Sequence, residues 1–129
     1  MSAQVIERWH QALEARDASV LPSLLADDVV FQSPVVHTPQ VGPQRVLAYL
    51  SAAFEALVND SFRYVRQLHG ERDAMLEFEV ELEGIHVNGV DLIHWNDDNR
   101  IVNFKVMVRP LKAIEVVHRR MAAVLQARA

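Results

Sequence analysis

The chain has 129 residues and a mass of 14.6 kDa, half of its residues are hydrophobic and 23% are charged, which is the composition of one ordinary globular domain. It contains no cysteine, so disulfides, thiolate nucleophiles and sulfur-ligated metals are excluded. Thirteen basic against seventeen acidic residues give a net charge of −4, so we expect no nucleic-acid partner, and no apolar run is long enough for a membrane span.

Hydrophobic residues at helical spacing dominate the first half of the chain. Asp17 or Ser19 caps a short second helix, Gly42-Pro43 starts a third, and two prolines prevent regular strand pairing in the stretch between the second and third helices. The predicted elements are a helix over residues 3–15, a short helix over residues 17–25, a strand over residues 28–32, an irregular stretch over residues 33–39 and a helix over residues 42–58.

The second half of the chain changes its hydrophobic period. Apolar residues alternate with the acidic row Glu77, Glu79, Glu81 and Glu83, which indicates a strand with one buried and one exposed face. We expect a turn at Glu83-Gly84 and a β-bulge at Gly89. The predicted strands cover residues 61–68, 75–83, 86–95 and 101–108 and form an antiparallel meander.

Pro110 is predicted to start a C-terminal helix. We expect this helix to dock on its own domain or on a dimer mate, because an exposed apolar stripe would be an association site. The stripe consists of Leu111, Ile114, Val117, Met121 and Leu125.

The six histidines do not form a metal-binding pattern. No pair has the spacing of helical zinc ligands, and His86 and His94, on one strand, would stand about 26 Å apart. The four glycines form no phosphate-binding loop, and no nucleophile elbow is present. We therefore predict neither a metal nor a cofactor, and the missing signal-peptide pattern favours the cytoplasm.

Asp91 is the one carboxylate that stands out, because it interrupts an apolar strand. Burial would raise its pKa by disfavouring the ionised form. An Asp91 side chain on the exposed face is the alternative, since a bulge at Gly89 would change which residues share a face with His86.

Five segments together resemble the SnoaL-like polyketide cyclase group of the nuclear transport factor 2-like superfamily, whose relatives include ketosteroid isomerase and limonene epoxide hydrolase. The resemblance extends to about Ala113. It implies an α+β fold in which a strongly bent, mostly antiparallel sheet is wrapped by the N-terminal helices into a cone around an apolar interior, with a C-terminal helix in addition. The segments are residues 9–18, 24–31, 42–45, 90–95 and 98–101.

The resemblance also assigns roles to individual positions. Asp91 falls where ketosteroid isomerases carry the protonated aspartic acid of their oxyanion hole, but the base position falls on Ser33 and the tyrosine donor position on Trp9. The arginine of limonene epoxide hydrolases falls on Gly89, and the acid near the end of the last strand of SnoaL-type cyclases has no counterpart in residues 103–108. None of the three chemistries transfers intact.

We therefore predict a pocket for a small apolar or ring-containing ligand with a carbonyl or hydroxyl group. The predicted catalytic residues are His37, as a general base at the mouth of the cone, and Asp91, as an acid or oxyanion donor hydrogen-bonded to Trp9. The predicted lining is Trp9, Phe31, Ser33, Val35, Phe54, Tyr64, Phe78, Val80, Val87, Phe104, Val106 and Val108.

Two classes of function remain open at this point. The chain is either a cofactor-free isomerase, cyclase or lyase (hydratase) that uses acid–base chemistry, or a non-catalytic ligand-binding or dimerisation module. The resemblance implies a homodimer through the outer sheet face, where Met107, Lys105 and the glutamate row would lie.

Overall fold

The computed structural model describes residues 3–128; the limits of the predicted domain, residues 1 and 129, lie outside this range. The elements in chain order are α1 (Ala3–Ala15), a 3₁₀ segment (Ala18–Leu24), β1 (Leu25–Gln32), β2 (Gln40–Val41), α2 (Pro43–Leu57), β3 (Arg63–His69), β4 (Asp73–Leu82), β5 (Ile85–Trp95), β6 (Ile101–Arg109) and α3 (Leu111–Ala127).

The six strands form one curved, unclosed sheet in the order β2-β1-β6-β5-β4-β3. Strands β3 to β6 form the predicted antiparallel meander. Strand β1 pairs in parallel with β6 and antiparallel with the short β2, so the sheet is mixed but mostly antiparallel. The predicted α+β class with a bent sheet and terminal helices is therefore confirmed.

The β4–β5 hairpin turns at Glu83 and Gly84, as predicted, and both residues have positive φ angles, 53° and 77°. The bulge predicted at Gly89 is wrong, because the β4–β5 register runs without a shift and pairs Gly89 with Phe78. A Cβ atom at this glycine would lie 2.3 Å from Cζ of Phe78. The glycine thus makes room for the Phe78 ring while the ladder stays regular.

Further differences from the prediction concern the second helix, β1 and β2. The second helix is a 3₁₀ segment whose cap is Asp17, which accepts a hydrogen bond from the backbone N–H of Ser19. Strand β1 begins at Leu25, three residues earlier than expected. The two-residue β2 was not predicted, because Gln40-Val41 has no hydrophobic alternation of its own and is a strand only through its pairing with β1.

Two clusters of buried side chains fill the space between the helices and the inner face of the sheet. The first lies under α1, the 3₁₀ segment and α2 and includes Trp9 and Phe104. The second lies under α2 and α3, so α3 docks on its own domain. Within α3, Val116 is buried, whereas Leu111, which was expected in the buried stripe, is 71% exposed at the first position of the helix.

Candidate functional site

A cavity of about 50 Å³ lies between the inner face of the sheet and the helices α1, α2 and α3. None of the described residues around it is basic, and its polar groups come from Ser33, Tyr64, Asp91 and the indole of Trp9. The lining consists of Trp9, Leu13, Phe31, Ser33, Pro34, Val35, Leu50, Ala53, Phe54, Leu57, Val58, Phe62, Tyr64, Phe78, Asp91, Phe104, Val106, Val117 and Met121.

Asp91 points into this cavity because β5 keeps a regular alternation. Without a bulge at Gly89, Asp91 lies on the same face of β5 as Val87 and Ile93, and His86 lies on the opposite face. Only 6% of Asp91 is exposed. The alternative placement on the exposed face is therefore wrong.

A chain of hydrogen bonds holds Asp91 from one side. The indole N–H of Trp9 donates to the Tyr64 hydroxyl over 2.9 Å, and that hydroxyl donates to Oδ2 of Asp91 over 2.7 Å. Trp9 was expected to donate to Asp91 directly, but Tyr64 lies between them. This chain needs α1, β3 and β5 to converge, and Tyr64 is also packed edge-on against Phe62 and Phe78.

The pKa of Asp91 is raised from its ordinary value of 3.8 to about 7. Burial is the main cause, because an apolar surrounding disfavours the carboxylate, and the hydrogen bond from Tyr64 partly opposes it. The pKa of Tyr64 is raised well above 10 by burial and by the neighbouring Asp91 charge. Tyr64 therefore remains a hydrogen-bond donor throughout the physiological pH range.

The second oxygen of Asp91 is open to the cavity. Oδ1 receives no hydrogen bond from the described side chains. Because every fully buried polar side-chain atom of the described residues has a partner, Oδ1 must have accessible surface. Gln40 is the other buried polar residue of the described chain, and its amide is paired locally with Thr38 and Arg45. Asp91 thus presents one oxygen whose partner would be a molecule in the cavity.

The structure brings together nine of the twelve predicted lining residues. The other three, Val80, Val87 and Val108, do not line the cavity. They belong to or pack against the second cluster, where α3 covers the inner face of the sheet. The prediction failed for them because strand alternation gives the face of a side chain but not which helix lies above it.

His37 does not take the position expected for a general base. It is exposed on the loop between β1 and β2 and is not among the residues around the cavity. The structure therefore does not bring it together with Asp91. Ser33 and Val35 from the same loop do line the cavity, and the Ser33 hydroxyl accepts a hydrogen bond from the backbone N–H of Val35.

Several lining residues were not predicted. Those of α2 share a helical stripe with Phe54, so the periodicity of α2 could have indicated them. Those of α3 lay in the predicted stripe, but the sequence does not show where α3 docks. The unpredicted residues are Leu13, Pro34, Leu50, Ala53, Leu57, Val58, Phe62, Val117 and Met121.

Neither a metal centre nor a membrane span is visible in residues 3–128. No group of three or more His, Asp or Glu side chains in this part of the chain is placed to hold a metal ion. No helix there is long and apolar enough to cross a membrane.

Solved structures with this fold include proteins described as enzymes. A steroid delta-isomerase from Pseudomonas aeruginosa is 35% identical, with a TM-score of 0.93 over 98% of this chain and 92% of that one. A cystatin-like protein from Silicibacter pomeroyi DSS-3 is 31% identical, with a TM-score of 0.85 over 93% and 84% of the two chains. A SnoaL-like polyketide cyclase candidate from Shewanella denitrificans OS-217 shares the fold at 16% identity, with a TM-score of 0.66 over 98% and 97%.

Sequence comparison gives the family. No curated protein sequence matches the chain significantly. The sequence model of the SnoaL-like domain matches residues 6–104, which is most of the chain and includes the residues that hold Asp91. The chain therefore belongs to the SnoaL-like domain family of the nuclear transport factor 2-like superfamily.

Proposed function

We propose that the cavity binds a small hydrophobic ring compound with a carbonyl or hydroxyl group, and that Asp91 exchanges a proton with it in a cofactor-free isomerisation, cyclisation or hydration. The observation that carries this proposal is the buried Asp91, held through Oδ2 by Tyr64 and open to the cavity through Oδ1. Apolar walls with a few convergent polar groups are typical of small-molecule sites.

The raised pKa suits Asp91 to both directions of proton transfer, because both of its forms are populated near neutral pH. The carboxylate takes a proton from the carbon beside the carbonyl of the ligand, and the C–H electron pair moves into an enolate. The acid form then returns the proton, to another carbon in an isomerisation. Tyr64 keeps the carboxyl oriented in each step through its hydrogen bond to Oδ2.

Similarity to the steroid delta-isomerase supports an isomerase more than the other two reactions. The site differs from that of ketosteroid isomerases in having Ser33, which is not a base, at the position that the resemblance assigns to the base. The cavity of about 50 Å³ is also far below the roughly 300 Å³ at which drug-sized ligand sites begin. A compound with one ring therefore fits the proposal better than a four-ring steroid.

Hydrogen–deuterium exchange beside a carbonyl tests this proposal without knowledge of the natural substrate. We expect the chain to accelerate exchange of the α-hydrogens of cyclohexanone in D₂O, followed by NMR. Asp91→Asn should reduce the protein-dependent rate by about 100-fold or more, since positioned acid–base groups contribute that much. Asp98→Asn, in the exposed turn before β6, is the matched control and should retain the rate.

Each other outcome of this experiment contradicts part of the proposal. Equal rates for Asp91→Asn and the unmodified chain would show that Asp91 is not the acid–base group. Binding of cyclohexanone without exchange would favour the alternative, a non-catalytic ligand-binding module.

We also propose a homodimer through the outer face of the sheet. Leu68 and Met107 are 58% and 49% exposed there, and the face carries both signs of charge, including an ion pair between Arg66 and Glu77. A two-fold interface places the same patch against itself, so apolar residues with both signs of charge suit it.

Light scattering coupled to size exclusion tests the dimer. We expect the mass of the unmodified chain to be twice 14.6 kDa and that of Met107→Glu to approach the monomer, because the new charge would be buried. Val41→Glu is the control: it replaces an exposed apolar residue on β2, where Val41 is 63% exposed, and this variant should remain dimeric. A monomeric unmodified chain would contradict the proposal.

Two broader expectations from the sequence are also proposals. We propose that residues 1–129 fold as one domain and that the protein acts in the cytoplasm. One cooperative transition in urea would support the single domain. Fractionation of cells that express the chain would test the location, and recovery from the periplasm would contradict it.

A further inference from the structure

We infer that α3 sets the size limit of the ligand, with Val117 and Met121 as the residues that determine specificity. This inference rests on the proposed function, since it concerns the same cavity. Val117 and Met121 are 1% and 8% exposed and belong to the lining. They lie beyond residue 104, where the match to the SnoaL-like domain ends, so this part of the lining is supplied by a segment outside the matched region.

The cavity volume shows what these two side chains restrict. The cavity is small, about 50 Å³, and side chains from three helices and the sheet line it. Shortening Val117 or Met121 would enlarge the cavity without touching Trp9, Tyr64 or Asp91, since the hydrogen bonds of these three residues do not involve α3.

Two polar contacts join α3 to the rest of the domain. Nη1 of Arg119 donates to Oε1 of Glu83 over 2.7 Å in the β4–β5 turn, and Nε of Arg120 donates to the backbone oxygen of Ala56 in α2 over 2.7 Å. The helix is thus attached both to the sheet and to α2. Its inner face also packs in the second cluster, so the side chains on that face define the space available to a ligand.

Val116 provides a matched control for Val117. Both valines are 1% exposed and adjacent in α3, and both pack in the second cluster. Only Val117 lines the cavity. Substitution of either valine by alanine removes the same two methyl groups from the interior, so a difference between the variants reports on the cavity rather than on packing.

The experiment compares the affinities for phenol and 2-naphthol, which carry one hydroxyl on one ring and on two. Titration calorimetry gives both dissociation constants for the unmodified chain and for Val116→Ala, Val117→Ala and Met121→Ala. We expect the ratio of 2-naphthol to phenol affinity to rise about tenfold in Val117→Ala and Met121→Ala, the effect that one methylene group has on pocket discrimination. Val116→Ala should keep the original ratio.

A fourth variant tests the opposite direction and keeps a full core. Val117→Ile adds a methyl group and should lower the affinity for 2-naphthol about tenfold. Equal ratios in the Val116 and Val117 variants, or unchanged 2-naphthol binding in Val117→Ile, would overturn the inference. The two proposals fail separately: equal α-hydrogen exchange rates for Asp91→Asn and the unmodified chain would contradict the proposed role of Asp91, whereas the affinity ratios test α3 alone.

Discussion

The balance of forces on Asp91 makes the folding stability depend on pH. A group whose folded-state pKa is raised binds more protons in the folded chain than in the unfolded one between the two pKa values. Here that window runs from 3.8 to about 7. Stability from Asp91 is therefore fully present below the window, decreases as the pH rises through it, and does not change further above it.

Asp91→Asn should remove this pH dependence while keeping an acceptor for Tyr64. The pKa shift from 3.8 to about 7 corresponds to about 4 kcal/mol, so we expect the variant to gain up to that much stability relative to the unmodified chain between pH 4 and pH 8. Urea unfolding at a series of pH values measures the gain. Asp98→Asn should show no such trend, and a constant difference for Asp91→Asn would mean that the Asp91 carboxyl is solvated.

Single residues also show where sequence reasoning reaches its limit. Asp91 could be singled out because a carboxylate in an apolar strand requires a partner or a raised pKa. Tyr64 could not be identified as that partner, since its register against β4 includes a shift between Tyr64 and Arg66 that no pattern encodes. The orientation of the His37 side chain could not be predicted either, because no periodicity determines where a side chain on an irregular loop points.

Among the elements, the β4–β5 hairpin depends on the pairing of Gly89 with Phe78. The ring of Phe78 stacks on Phe62 at 5.1 Å and lies edge-on to Tyr64 at 6.4 Å. The absence of a side chain at Gly89 leaves space for the Phe78 ring, because a Cβ there would meet Cζ of that ring at 2.3 Å. One glycine thus supports the aromatic wall beside Asp91.

Gly89→Ala should destabilise the fold by about 1–3 kcal/mol, the usual cost of overpacking a core. Because Phe78 packs on Tyr64 and Tyr64 donates to Asp91, the NMR titration of Asp91 should also shift. Phe78→Leu in addition should recover part of the stability, which a double-mutant cycle measures. Gly84→Ala is the control: it has a positive φ of 77° and nothing within 4 Å, so its cost is conformational and Phe78→Leu should not relieve it. Additive effects at Gly89 and Phe78 would refute the steric account.

The elements differ in how far the sequence determines them. The alternation of β4 and the turn at Glu83-Gly84 are local signals, and both were predicted. The parallel pairing of β1 with β6 joins residues about 75 positions apart, such as Leu25 and Ile101, and it was not predicted. Strand β2 is a strand only through its pairing with β1, so local sequence patterns could not predict it.

Over the whole molecule, α3 is the element that completes both the core and the cavity. Its buried residues Ala113, Val116, Val117 and Met121 cover the second cluster. The sequence predicted an apolar stripe here but not the surface that receives it, because docking depends on where α2 and the sheet leave space. The same contact explains why Val80 and Val87 are core residues rather than cavity residues.

Deleting the residues after Pro110 should therefore uncover the apolar side chains that α3 covers, among them Val80, Leu82 and Val87. Such a surface promotes association, so we expect lower solubility, binding of a hydrophobic dye and a broad or shifted profile in size exclusion.

Truncation after Leu125 keeps the four buried residues of α3 and removes the contact of Arg128 with Glu55. Because exposed ion pairs contribute little, this control should behave like the full chain. An unchanged, monodisperse profile for the longer deletion would show that the second cluster is stable without α3, and the size limit on the ligand would then have to be sought in the sheet and α2.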